Sequence, residues 1–87
     1  MAKYKLRFKE SVAKDLRRIP NSDVTRILKR IDVLAENPRG EGCVKLSGND
    51  RYRVRTGQYR VVYEIADDSL VVSVVKVAHR STAYKSH

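Results

Sequence analysis

Eighty-seven residues, 41% hydrophobic and 33% charged, leave room for one domain, residues 1–87, with a thin core and a shallow site rather than a deep enclosed cavity. Nineteen Lys and Arg against ten Asp and Glu give a net charge of +9, a surface that attracts polyanions. The lone Cys43 excludes an internal disulfide framework, no apolar run approaches the ~20 residues of a membrane span, and the first residues lack the apolar stretch of a signal peptide, so the cytoplasm is the expected compartment.

The first element reads as a strand. Tyr4, Leu6 and Phe8 alternate with Lys5, Arg7 and Lys9, which gives an apolar face and a basic one. The period then becomes helical: Phe8, Val12, Leu16 and Ile19 share a stripe, and Pro20 stops it. Asn21 or Ser22 is the expected N-cap of a second helix, whose stripe is Val24, Ile27, Leu28, Ile31, Leu34 and Ala35 and whose stop is Asn37-Pro38. The short connection predicts an antiparallel helical hairpin. Residues 37–50 hold three of the four glycines and read as loop.

The rest reads as β. Tyr52 to Arg55 alternates, Thr56 to Gln58 turns around Gly57, and Tyr59 to Ile65 alternates again. Asp67-Asp68 is the expected turn, and Leu70 to Ala78 is a Val-rich run expected to be covered on both faces. The order β-α-α-β-β-β predicts an α+β fold: a twisted, mainly antiparallel sheet with the helical hairpin on its apolar face.

Register decides where the arginines go. A two-residue loop at Gly57-Gln58 sets Arg55 opposite Arg60; one at Thr56-Gly57 sets Arg53 opposite Arg60. Both keep Tyr52, Val54, Tyr59, Val61 and Tyr63 on one face and Arg53, Arg55 and Arg60 on the other, whereas a three-residue loop scrambles both faces. Like charges opposed on a sheet are destabilising, and no acid lies between Arg51 and Tyr63 to relieve them, so the cluster points to an anionic ligand. Beyond the last strand come His79, Arg80 and Tyr84, the aromatic that fits no apolar stripe. Simple alternation along that strand sets Arg80 on the face opposite Arg53 unless the strand ends or bends near Ala78. Cys43, His79 and His87 have no metal-ligand spacing, and no metal or other cofactor is expected.

Three segments together, Leu46-x5-Tyr52-Arg53-Val54-Arg55, Gly57-x-Tyr59-Arg60-Val61-Val62-Tyr63-Glu64 and Val77-x-His79-Arg80-x3-Tyr84, resemble the RelE/ParE toxin superfamily across nearly the whole chain. The resemblance implies a toxin of a type II toxin–antitoxin system. RelE-like members are ribosome-dependent mRNA endonucleases, ParE-like members poison DNA gyrase, and both are held inactive by a cognate antitoxin. It further implies an active face of Arg53, Arg55, Arg60, Arg80 and Tyr84. The first two positions are lysine in the best-known RelE form and arginine here, and the turn before Arg60 is two residues shorter.

That set suits RNA cleavage by the RNA's own 2′-OH without a metal. Arginines are fixed bidentate donors to phosphate. Tyr84 is one candidate base, since nearby guanidinium groups favour its phenolate, and His79 is the other candidate acid or base. A gyrase inhibitor and a non-catalytic basic RNA- or ribosome-binding domain are the competing readings. The expected partners are mRNA on the ribosome and an antitoxin whose acidic or amphipathic segment folds on binding, with no membrane involved.

Overall fold

The computed structural model describes residues 3–46 and 50–79. Their order is β1 (Lys5–Phe8), α1 (Glu10–Arg17), α2 (Asn21–Glu36), β2 (Val44–Lys45), β3 (Arg51–Thr56), β4 (Tyr59–Ala66) and β5 (Val71–His79). The strands form one sheet in the order β1-β5-β4-β3-β2. All neighbours are antiparallel except β1 and β5, which run parallel with Lys5 opposite Val71 and Phe8 opposite Val74. The α+β architecture is the expected one, with one addition. The two-residue β2 pairs Val44 with Arg53 and Lys45 with Tyr52 inside the stretch expected to be loop, too short to leave a periodic signal.

The two helices cover one face of the sheet. Val12 of α1 and Ile27, Ile31 and Leu34 of α2 pack on Val54, Val61, Tyr63, Val72, Val74 and Val77, all of them buried. Removing such side chains from water supplies roughly 1.5–3 kcal/mol each, the main stabilising term in so small a chain. Tyr63 is fully buried, stacks on Tyr52 at 5.8 Å and donates its hydroxyl to the Pro38 carbonyl at 2.6 Å. That bond ties the end of α2 to the middle of the sheet, and burial pushes the Tyr63 phenol pKa up.

Four local expectations are corrected. Pro20, not Asn21 or Ser22, occupies the N-cap of α2, with no side-chain cap; its carbonyl accepts from the amides of Asp23 and Val24. Leu28 lies on the flank of its stripe and is exposed. Phe8, expected in the core, is 47% exposed because it ends the edge strand β1. β5 has helices on one face only; Val71, Ser73 and Val75 on the rest of its surface are half-buried, sheltered by flanking strands in an interior position of the sheet.

Candidate active face

The β3–β4 hairpin closes through Gly57-Gln58, with Thr56 opposite Tyr59. Gly57 has φ +60, and glycine at the first of two loop positions with positive φ is the type II′ hairpin, whose twist matches that of the flanking strands. That loop selects between the two registers left open by sequence: Arg55 stands opposite Arg60, and Arg53 opposite Val62. Directly opposed residues lie about 4.5–5.5 Å apart at Cα, and Arg53 lies about 6.6 Å along the strand from Arg55. The three arginines therefore converge on the face that carries no helix. Arg53 and Arg60 are half-buried and Arg55 is exposed.

The register of β5 carries the site further. Alternation starting from the buried Val72 and Val74 would bury residue 76, but the β4–β5 pairing shifts between Val62 and Tyr63, so that Tyr63 faces Val74 while Val62 faces Lys76. Val75 is the extra residue of a β-bulge. Past it the parity is reversed: Val77 is buried, and Lys76 and Ala78 share the arginine face. Asp15 of α1 accepts a hydrogen bond from the Val77 amide at 3.2 Å and ties the bulged strand to the helix layer.

The bulge takes His79 away from Arg53, Arg55 and Arg60 of the expected site. His79 pairs with Tyr59 and so lies on the helix side of the sheet, away from the three arginines. Its ring meets Tyr59 edge-on at 5.5 Å, its Nε2 lies 3.1 Å from Gln58 Oε1, and it lines a cleft with Asp15, Arg18 and Ile19. Arg80 and Tyr84 lie outside the described residues.

At the other end of the hairpin, arginines are bound to acids. Arg51 pairs with Glu64 across the ladder at 2.9 Å. Arg39 grips Asp67 with both terminal nitrogens, at 2.9 and 2.7 Å, the bidentate arrangement that makes Arg–carboxylate pairs strong. The same Asp67 accepts the Tyr4 hydroxyl at 2.9 Å, and Arg39 Nε donates to the Tyr52 hydroxyl at 3.2 Å. Arg39 and Tyr4 together hold the Asp67 carboxyl down at about 2, and Asp67 raises the Tyr4 phenol in return. Asp67 was expected only as a turn former; it is the node of a network joining four chain segments. Among the described residues Arg53 and Arg55 have no such carboxylate, and no three His, Cys, Asp or Glu side chains form a group suited to a metal ion. No described helix is long and apolar enough to cross a membrane.

This combination of a helical hairpin on one sheet face and clustered arginines on the other has relatives. Residues 6–84 match the family described as the ParE toxin of the type II toxin–antitoxin system parDE. The chain is 30% identical over 79 residues to the mRNA interferase toxin RelE of Escherichia coli, covering 88% of this chain and 83% of that one. Among solved structures, the archaeal RelE–RelB complex from Pyrococcus horikoshii superposes with a TM-score of 0.77 at 27% identity, covering 90% of this chain and 96% of that one. The intact Escherichia coli RelBE toxin–antitoxin complex gives 0.77 at 32%, covering 87% and 95%. The chain belongs to the ParE toxin family, within the RelE/ParE toxin superfamily.

Proposed function

We propose that the protein is the toxin of a type II toxin–antitoxin system and acts as a ribosome-dependent mRNA endoribonuclease. The observation that carries this reading is the Arg55–Arg60 pair, with Arg53 beside it, on the open face of the sheet. The 30% identity to an mRNA interferase toxin supports it.

In the proposed reaction the RNA 2′-oxygen loses its proton and attacks the adjacent phosphorus. The bond to the 5′-oxygen breaks as that oxygen takes up a proton, leaving a 2′,3′-cyclic phosphate and a 5′-hydroxyl. Arg53, Arg55 and Arg60 stabilise the charge that builds on the phosphoryl oxygens, a task for preorganised donors that needs no metal. By resemblance Arg80 joins them and Tyr84 is the base. Arginine stays protonated at any working pH, so none of the arginines serves as that base. His79, set against the helix side beside Gln58, is left out of the reaction.

A toxin of this kind acts in the cytoplasm and is kept silent by a cognate antitoxin, as its relatives are solved with RelB. Against a +9 chain the antitoxin's binding segment is acidic, disordered alone and folded on contact, with fast, salt-dependent association. The match to a family named for ParE favours one second reading, a gyrase inhibitor acting by protein contact alone. Inducing the protein and mapping mRNA 5′ ends with and without translation decides between them. New translation-dependent ends are the expected result; unchanged mRNA with blocked gyrase supercoiling overturns the nuclease reading.

A further inference from the structure

We propose that Lys76 is a fourth cation of the open face and binds the mRNA phosphate next to the one that is cut; this rests on the nuclease reading above. Three observations place it there. The bulge at Val75 turns Lys76 out of the core parity and onto the face of Arg53, Arg55 and Arg60. The pairings Val62 with Lys76 and Val62 with Arg53 set Lys76 and Arg53 on either side of Val62 in one row, about 9–10 Å apart by two strand spacings. In the next row Ala78 stands opposite Arg60, so Lys76 is a diagonal neighbour of Arg60, about 7–8 Å away, and only the Ala78 methyl stands directly across from Arg60 on β5.

Bulges near active sites characteristically re-aim a side chain, and here the re-aimed side chain is an exposed lysine in an otherwise Val-rich strand. The two side chains with bidentate geometry nearest each other, Arg55 and Arg60, suit the planar demands of the phosphate under attack. A lysine, a point charge on a flexible stem, suits a phosphate that only has to be held in place. Such a contact is equally strong before and during the reaction, so its loss raises KM and leaves kcat alone.

The test uses the full chain on ribosomes programmed with mRNA. Lys76→Ala is expected to raise KM about 3–10-fold with kcat within about twofold of wild type, and to flatten the salt dependence of binding by about one unit of slope. Lys76→Arg is expected to restore KM, and thermal unfolding of both variants to match wild type. An mRNA with an uncharged methylphosphonate at the neighbouring linkage should weaken wild type but not Lys76→Ala. Equal KM and slope for wild type and Lys76→Ala overturn the proposal, and so does a Lys76→Ala defect that persists undiminished on the methylphosphonate mRNA. Wild-type protein that leaves programmed mRNA intact overturns the nuclease reading itself, and the role of Lys76 with it.

Discussion

The two ends of the β3–β4 hairpin use the same side chain for opposite purposes. At the open end, Arg51 and Arg39 are matched to Glu64 and Asp67, and Arg39 also touches Tyr52. At the loop end, Arg55 is set opposite another arginine. Opposition of like charges lowers the stability of a sheet, while pairing across it raises stability modestly. The difference teaches that charge count says little about role: arginines matched to acids tie chain segments together, and arginines set side by side concentrate positive charge on one face.

The sharpest way to break that contrast is Arg60→Ala. It is expected to lower cleavage by about 10²-fold or more, the effect of removing one preorganised donor, while leaving the protein folded. Single-turnover cleavage on ribosomes beside a thermal melt measures both. A folded Arg60→Ala protein with full activity would mean that the loop-end cluster is not a site.

Gly57→Ala probes what holds that cluster. An added Cβ meets nothing within 4 Å, so its whole effect is strain at φ +60, about 1–2 kcal/mol of stability measured by urea unfolding. Activity should fall along with it, because the loop fixes the opposition of Arg55 and Arg60. Unchanged stability would mean that the hairpin tolerates another turn type.

The smallest expected effect lies at the acid-matched end. Asp67 titrates at about 2 in the fold against an ordinary value near 3.9, so its contribution is complete above pH ~4 and is lost as pH falls toward 2. Asp67→Asn should therefore be less stable than wild type at pH 7, with the two curves converging near pH 2 in urea melts run between those values. The residues concerned are largely exposed, so the difference is modest and shrinks as salt rises. Cleavage activity should not change. A loss of activity there would join the two ends into one functional unit.

Particular residues show where sequence reasoning reached and where it stopped. The arginine face was legible because Tyr52, Val54, Val61 and Tyr63 demand one parity, and Gly57 limits the loops compatible with it. The choice between the two loops needed backbone geometry. β5 was opaque for a physical reason: with Val at 71, 72, 74, 75 and 77, either parity buries valines, so a bulge leaves no trace in the pattern. Lys76 and His79 consequently exchanged faces relative to a simple count. The Arg39–Asp67 pair joins side chains 28 residues apart, and no local rule selects Asp67 over Asp68 as the acceptor. Phe8 matched its strand pattern, yet pattern does not report that the strand ends at an open edge.

The parallel pairing of β1 with β5 also sets an order in time. Lys5 is synthesised 66 residues before Val71, its partner in the sheet. β3 and β4 can pair as soon as both have emerged, but the sheet is not closed, and Lys76 and Ala78 do not stand beside Arg60, until the final strand inserts between β1 and β4. Such long-range closure is slow compared with hairpin formation. A ribosome making this chain therefore carries an unfinished face long after β3 and β4 have paired, and the assembled surface first exists when β5 has emerged and taken its place between them and β1.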